Sequence, residues 1–214
     1  MKISLPNGYD NRLIWWPELG MGYHPQEPMS YEGDYWEKYL EYDKTEMGAK
    51  LTEARCRLVS EYTTADDLVD IGIGGGLFVR TMNCCGYDVN NKANEWLLNS
   101  GRYRNPHIRP VKAITCWDAI EHIPNPIPLL NNVKEWVFAS IPVFDNGEQV
   151  TKSKHYRPGE HIWYWTHAGF VNYMYHNGFK LVSHTDVETK LGREDILSYA
   201  FKRINKKEFP REGT

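Results

Sequence analysis

The sequence is poor in cysteine, and its cysteines are not spaced as zinc ligands are. Only four occur in 214 residues, and no C-x-x-C motif is present. This argues against a zinc cluster and against a disulfide scaffold. Two of them, Cys84 and Cys85, are adjacent in an apolar segment, where free cysteine usually behaves as a small buried hydrophobe. The cysteine usage is typical of a protein kept in a reducing compartment.

Long apolar runs are also lacking. No stretch of about 18 apolar residues occurs, which argues against a membrane-spanning helix. The first residues contain no continuous apolar segment of the signal-peptide type. We therefore expect a cytoplasmic protein that does not enter a membrane. Hydrophobic residues make up 41% and charged residues 25% of the chain, which is enough apolar material for one compact domain with its own core.

An excess of positive charge is missing as well. The net charge is −3 and the isoelectric point is about 6.2, which argues against a surface built wholly for nucleic acid. Two basic stretches remain, and each is open to interpretation as a local nucleic-acid contact or as a solvated loop. Their cations are Arg102, Arg104, His107, Arg109 and Lys112 in the first stretch, and Lys152, Lys154, His155 and Arg157 in the second.

Glycine, proline and aromatic residues crowd the first part of the chain. Residues 1–35 show neither a helical nor a strand period, which predicts an irregular, aromatic-rich N-terminal arm. Apolar residues three and four apart between Tyr35 and Tyr62 predict one or two helices. We divide the chain into an arm with helices that pack on the core (1–62), a core (63–204) and a tail (205–214).

Strands alternate with helices through the predicted core. Strands are predicted at 68–71, 85–89, 111–117 and 136–141, and helices at 77–84, 93–99, 128–134 and 166–177. This alternation predicts an α/β fold with a doubly wound, mostly parallel sheet. The last two predicted strands, 179–185 and 196–202, follow one another without a helix, which predicts a C-terminal antiparallel hairpin. A strand between Asn99 and Val111 is poorly marked.

A glycine-rich segment, Asp-Ile-Gly-Ile-Gly-Gly-Gly at 70–76, joins the first predicted core strand to a helix. Missing side chains at such a turn let backbone N–H groups approach a nucleotide-like ligand. The dinucleotide fingerprint fails because its third glycine would fall on Leu77, and the Gly-Lys-Ser/Thr ending of a P-loop is absent. What remains is D-x-G-x-G-x-G, with a second acid, Asp88, after the next strand.

This pattern resembles the class I S-adenosylmethionine (SAM) dependent methyltransferases over roughly residues 65–203, and it implies a Rossmann-like fold. By this resemblance Asp70 approaches the methionine amino group, the glycines line the cofactor and Asp88 accepts the two ribose hydroxyls. A carboxylate is a strong bidentate acceptor for a diol. The simpler alternative is a glycine-rich turn followed by a surface acid. The residues expected at the cofactor are Asp70, Gly72, Gly74, Gly76, Asp88, Val89, Trp117 and Asp118.

Two further segments, Asp-Ala-Ile-Glu-His at 118–122 and Gly-Glu-His at 159–161, resemble a subgroup of these enzymes. In the ubiquinone-pathway O-methyltransferases and the small-RNA 2′-O-methyltransferases, an acid-x-x-Glu-His set binds a divalent metal, joined by a later histidine in the RNA enzymes. The resemblance implies a metal site of Asp118, Glu121, His122 and His161, although those families have Glu where Asp118 stands. The sequence does not distinguish among Mg²⁺, Mn²⁺, Fe²⁺ and Zn²⁺ as the bound ion.

The same segments imply catalytic roles for Glu121, His122 and His161, as general bases or as groups that only orient SAM and substrate without a metal. The expected activity is methyl transfer to an oxygen or nitrogen of a small-molecule or nucleotide-type acceptor. The alternatives are an RNA or DNA methyltransferase and a SAM-binding module that no longer methylates and serves a partner protein. The aromatic arm is either a lid over the site or an anchor to the core. A long loop predicted at 144–159 is expected to influence substrate choice.

Overall fold

The computed structural model describes residues 12–25 and 29–204. The predicted tail and residues 1–11 of the predicted arm lie outside this part of the chain. The strands are β1 (Ile14–Trp16), β2 (Met21–Tyr23), β3 (Leu68–Ile71), β4 (Cys85–Tyr87), β5 (Val111–Trp117), β6 (Val133–Pro142), β7 (Trp163–Trp165), β8 (Phe179–Thr185) and β9 (Ile196–Arg203). The α-helices are α1 (Tyr35–Asp43), α2 (Glu46–Ser60), α3 (Leu77–Met82), α4 (Asn91–Asn99), α5 (Ile127–Asn131), α6 (Gly147–Lys152), α7 (His167–His176) and α8 (Val187–Lys190), and a 3-10 helix covers Ile120–His122.

Within the described residues, six strands form the main sheet in the order β4-β3-β5-β6-β9-β8. Strands β4, β3, β5 and β6 are parallel, whereas β9 pairs antiparallel with both β6 and β8. The predicted doubly wound, mostly parallel sheet and its C-terminal antiparallel hairpin are therefore confirmed.

Both faces of this sheet are covered, which explains why its central strands are nearly continuous apolar runs. In β5, for example, Ala113 packs with residues of α2, α3 and α4, while the next residue, Ile114, packs with residues of α5 and α7 on the opposite face. The glycine-rich segment leaves the carboxyl end of β3, in the middle of the parallel region. Ligands of open α/β sheets bind at this edge.

The N-terminal arm is more regular than its sequence predicts. Strand β2 pairs antiparallel with both β1 and β7, so the described residues contain a second, three-stranded sheet. Trp15 is 4% exposed and packs with a small cluster that includes Phe144, Val150 and Tyr164. The prediction of an irregular arm is wrong for residues 14–16 and 21–23, because β2 also pairs with a strand far away in the sequence.

Three connections between the described elements contain structure of their own. The predicted loop at 144–159 contains α6, whose first turn is capped by the Asn146 side chain, so that prediction is wrong in part. The connection between β8 and β9 contains the short helix α8, although no helix was expected there. The poorly marked strand is reduced to an isolated parallel bridge between Gly86 and Tyr103.

Every helix in the described part of the chain is too short or too polar to cross a membrane.

Candidate functional site

The loop between β3 and α3 has the backbone that its glycines predict. Gly72, Gly74 and Gly76 have φ angles of +72°, +55° and +81°, in the left-handed region that side chains with a Cβ rarely adopt. The Gly72 N–H donates to the Tyr87 backbone oxygen at 2.9 Å, which ties the loop to the end of β4. These glycines are therefore required by the conformation of the turn.

Helix α1 lies directly on this glycine loop. A Cβ on Gly75 would come within 2.6 Å of the Tyr39 backbone oxygen and 2.5 Å of Asp43 Oδ2. Asp43 Oδ2 also accepts the Leu77 N–H at 2.9 Å, so that Asp43 caps the first turn of α3. Gly75 thus permits the close approach of α1, a role that the sequence pattern alone did not show.

Asp70 lies inside the sheet at the base of the loop and is 1% exposed. Its Oδ1 accepts a hydrogen bond from Thr115 Oγ1 at 2.5 Å. Burial raises the pKa of Asp70 to about 8, against the opposing effect of the Thr115 hydrogen bond. A cationic group brought to this carboxylate would favour its ionised form.

Asp88 closes the same corner from the end of β4. Its Oδ2 accepts the Ile73 N–H and its Oδ1 accepts the Asn90 N–H, both at 2.8 Å. Burial raises the pKa of Asp88, and these backbone hydrogen bonds oppose the rise. Each carboxylate oxygen has a further lone pair, so the group can still accept from a diol. The next residue, Val89, is 64% exposed beside it.

The end of β5 carries a charged network. Trp117 is buried, with the Arg55 guanidinium 5.2 Å from its ring centroid. Asp118 follows with a φ of +51°, and its Oδ2 accepts from Arg55 Nη2 at 3.0 Å and from Arg193 Nη1 at 2.8 Å. Burial would raise the pKa of Asp118, but Arg193 and Arg55 outweigh it and lower this pKa to about 2. The carboxylate is therefore ionised at neutral pH.

Glu121, His122 and His161 meet beyond this turn. One ligand atom from each lies within 4.8 Å of the others. The Ile162 N–H donates to the Glu121 backbone oxygen at 2.9 Å, which ties the segment before β7 to the 3-10 helix. The two imidazole rings meet edge to face, with centroids 4.7 Å apart. Asp118 is not a member of this group, so the structure brings together three of the four residues predicted as metal ligands.

Glu121 is 1% exposed, and neither of its carboxylate oxygens has a hydrogen-bond partner among the described residues. Burial raises the pKa of Glu121 well above its usual value, and the negative charge of Asp118 adds to the rise. A buried carboxylate without a partner is costly, so such a group takes up a proton or pairs with a cation.

The contacts of His122 fix which ring nitrogen carries its proton. Nδ1 lies 2.9 Å from the Glu160 backbone oxygen and 3.1 Å from the Tyr31 hydroxyl. Because a carbonyl oxygen only accepts, Nδ1 is the donor and Nε2 presents a lone pair. Burial lowers the pKa of His122, and it lowers the pKa of His161 to about 2, with a further contribution from His122. Both imidazoles are neutral at pH 7.

Tyrosines connect the glycine loop to this histidine pair. The Tyr39 ring lies against Gly74, and the Tyr35 hydroxyl donates to the Tyr39 hydroxyl oxygen at 3.2 Å. The ring centroids of Tyr31 and Tyr35 are 5.0 Å apart. Other aromatic residues of the same region pack in the interior instead, such as the buried Trp15. The aromatic residues thus divide into a group that borders the site and a group that anchors the chain.

Several cations of the two basic stretches form surface ion pairs with carboxylates of the same molecule. Arg104 pairs with Asp67 at 2.8 Å, Lys154 with Glu194 at 2.7 Å and Arg157 with Glu160 at 3.2 Å. The carboxylates reduce the positive potential that a nucleic-acid backbone would meet there. This arrangement does not favour a nucleic-acid interface.

Sequence reasoning missed Arg55, Glu188 and Arg193, which lie in the charged network around Asp118. A signal was present for the first of them. Arg55 stands four residues after Leu51 and four before Val59, on the buried stripe of α2, where a charged side chain needs a buried partner. Glu188 and Arg193 lie on and just after α8, and nothing in their local pattern indicated burial.

Comparisons with known proteins agree with this geometry. A family described as methyltransferase domain matches residues 38–184. No curated protein matches the sequence. Solved structures with the same fold include a SAM-dependent methyltransferase from Thermotoga maritima, which is 12% identical with a TM-score of 0.58 and covers 79% of this chain and 96% of that chain.

Two others are named for specific activities. The magnesium protoporphyrin IX methyltransferase of Synechocystis, solved with bound S-adenosylhomocysteine (SAH), is 12% identical, with a TM-score of 0.52 and coverage of 80% of this chain and 89% of that chain. The N-methyltransferase NodS of Bradyrhizobium japonicum is 10% identical, with a TM-score of 0.54 and coverage of 76% and 99%. At these identities the likeness shows the fold alone.

The sheet order, the left-handed glycine turn and the acid after β4 define a class I SAM-dependent methyltransferase. The chain belongs to the methyltransferase-domain family, which matches it over most of its length. The fold and cofactor class expected from the sequence are thereby confirmed.

Proposed function

We propose that this enzyme transfers the methyl group of SAM to an oxygen or nitrogen of a small-molecule or nucleotide-type acceptor that binds beside Glu121, His122 and His161. The supporting observation is that these three groups lie together, Glu121 and His161 buried and His122 half-buried, with both Glu121 oxygens lacking a partner among the described residues. Glu121 and His122 follow β5, the neighbour of the strand that leads into the glycine loop, and His161 reaches them from the segment before β7. A role confined to the hydrophobic core would not account for such a costly arrangement.

On the cofactor side, Asp70 faces the methionine ammonium group and Asp88 accepts the ribose hydroxyls, while Gly72, Gly74 and Gly76 line the cofactor. Val89, Trp117 and Asp118 border it. This assignment is supported by the positions of Asp70 and Asp88 at the ends of adjacent parallel strands. Both carboxylates have lone pairs beyond those used within the protein, which suit the charge-assisted hydrogen bonds that these groups of SAM require.

The reaction is an in-line displacement. The acceptor atom forms a bond to the methyl carbon while the carbon–sulfur bond breaks, and the electron pair of that bond leaves with the sulfur of SAH. In the absence of a metal, the proton of an acceptor hydroxyl or amine passes to a base, for which the Nε2 lone pair of His122 is suited because the ring is neutral. Correct placement of two reactants can supply about 7–11 kcal/mol of a barrier, so the tyrosines and the turn at 118–122 act chiefly by positioning.

A divalent metal fits the same three groups. One carboxylate and two neutral imidazoles are a common donor set for Fe²⁺, Mn²⁺ and Zn²⁺, and a cation would satisfy the partnerless Glu121 carboxylate. Glu121, His122 and His161 would hold it, and Asp118 would not. Such a cation lowers the pKa of a hydroxyl bound to it. A cobalt titration followed by visible absorption, with Glu121→Gln as the comparison, tests this part of the proposal.

The proposal is tested by separating methyl transfer from cofactor binding. Purified enzyme with methyl-labelled SAM should label a component of a host extract, and His122→Ala and His161→Ala should each lower that labelling by at least about a hundredfold, the scale of a lost general base. Calorimetry with SAH should show affinities within about threefold of wild type. Asp186→Asn, on an exposed pair with Lys190, is the matched control and should change neither quantity.

Other results would count against the proposal. Equal, small effects of the histidine substitutions on labelling and on SAH affinity would remove both residues from the chemistry. SAH binding by the wild type without labelling of any fraction would favour a SAM-binding module that serves a partner protein.

A further inference from the structure

Behind the cofactor corner lies a network of two arginines and two carboxylates, which we call the Glu188 network: Arg55, Asp118, Glu188 and Arg193. Glu188 is its most buried member, with a side-chain exposure of 0%. Its Oε1 accepts from Arg55 Nε at 2.8 Å, and its Oε2 accepts from Arg55 Nη2 at 3.0 Å and from Arg193 Nη1. Glu188 therefore holds both guanidinium groups at once.

The same two guanidinium groups hold Asp118. Arg55 Nη2 and Arg193 Nη1 donate to one oxygen, Asp118 Oδ2, and 27% of this side chain is exposed. The four residues come from α2, the end of β5, α8 and the turn that follows α8. Because the network joins distant segments, the orientation of Asp118 depends on residues that lie far from it in the sequence.

Asp118 stands where it can face the cofactor. It is two residues beyond Cys116, which pairs with Ile71 in the parallel register of β3 and β5. The next residue, Ala119, borders the glycine loop, since a Cβ on Gly72 would lie 3.3 Å from the Ala119 Cβ. Asp70 and Asp118 therefore flank the turn in which the amino-acid part of SAM is placed by the proposed function.

We propose that Glu188 is a positioning residue for the amino-acid end of the cofactor. By holding Arg55 and Arg193, it fixes Asp118 Oδ2 and leaves the rest of that carboxylate turned to the ammonium group of SAM. Removing one member of a buried charged group leaves its partners uncompensated, so they rearrange. Without Glu188 both guanidinium groups would turn to Asp118 alone and draw its carboxylate away from the cofactor. This inference rests on the proposed placement of SAM.

The test compares two ligands that differ only at the amino-acid end. SAH carries the ammonium and carboxylate groups, whereas 5′-methylthioadenosine lacks them. In Glu188→Gln, calorimetry should show SAH affinity lowered by at least about tenfold, the scale of one lost charged hydrogen bond. The affinity for 5′-methylthioadenosine should stay within about twofold of wild type. Asp186→Asn, two residues away and exposed, should leave both affinities unchanged.

A double variant separates positioning from stability and from net charge. Glu188→Gln with Arg193→Gln restores the charge balance of the network and should recover most of the melting temperature lost in Glu188→Gln. SAH affinity should remain low, because Asp118 Oδ2 then has only one of its two donors. If Glu188→Gln is too unstable to study, the double variant alone provides the comparison of the two ligands.

Several outcomes would overturn the inference. Equal loss of affinity for both ligands would show a purely structural role for Glu188, and recovery of SAH affinity in the double variant would show that only net charge matters. Unchanged SAH affinity in Glu188→Gln would also contradict it. Failure of the wild type to bind SAH would instead contradict the proposed function, so the two failures can be told apart.

Discussion

Three acidic residues near one edge of the sheet, two of them buried and Asp118 partly exposed, have very different surroundings. Asp70 has a hydroxyl partner, Asp118 has two guanidinium partners, and the Glu121 carboxylate has none among the described residues. Their pKa values diverge accordingly, with Asp118 lowered and the other two raised. Environments that separate pKa values in this way assign different roles to chemically similar groups.

The raised pKa of Asp70 predicts that SAH binding depends on pH and releases a proton. With a pKa of about 8, Asp70 is mostly protonated at pH 6.5 in the free enzyme. An ammonium group selects the ionised form, so SAH binding should release a proton. Affinity should therefore rise with pH below 8, by up to about tenfold per pH unit. Calorimetry at pH 6.5 in two buffers of different ionisation enthalpy measures the number of protons released.

The matched variants are Asp70→Asn, which cannot release the proton and should bind SAH more weakly, and Asp66→Asn, an exposed neighbour that should behave as wild type. Proton release that persists undiminished in Asp70→Asn would assign it to another group.

At the scale of elements, prediction from sequence succeeded where the signal is local. Strand β5 was predicted with its observed bounds, because a buried parallel strand is a short apolar run with a clear beginning and end. Strands β1, β2 and β7 have three residues each, too few to show alternation, and the pairing of β2 with β7 joins distant segments. Helix α8 is only four residues long and gave no periodic signal.

The candidate site divides in the same way. The glycine turn and Asp88 were predicted because the strand, turn and acid lie within a short stretch of sequence. Arg55, Glu188 and Arg193 were missed because buried charge pairs form between elements, and a single sequence does not say which elements meet.

The small sheet also gives a prediction. Trp15 packs so closely against Gly147 that a Cβ on Gly147 would lie 2.7 Å from the Trp15 ring. Trp15→Ala should lower the free energy of unfolding by about 3–5 kcal/mol, since a large buried side chain is replaced by a cavity. Urea denaturation measures this change. Leu19→Ala, in the adjacent turn and 50% exposed, should cost little by comparison. A loss below about 1 kcal/mol for Trp15→Ala would mean that this sheet contributes little to stability.

For the whole molecule, the net charge of −3 and the paired basic stretches predict weak contact with nucleic acid. Electrophoretic mobility shifts with RNA and with DNA should show no salt-sensitive complex at low micromolar enzyme, at either about 50 mM or about 200 mM salt. A complex that forms at the lower salt and is lost at the higher would restore the nucleic-acid alternative.

The pairing of β2 with β7 has a consequence for how the enzyme comes to be active. The cofactor corner is built from neighbouring segments, β3 to β4, whose ends meet after closure of a short loop. The segment that carries His161 leads into β7, and β7 pairs with β2, a strand far earlier in the sequence. Closing that long loop is entropically costly and slows folding. We therefore expect a newly made chain to form its cofactor corner first and to gain methyl-transfer competence only when β2 and β7 have paired.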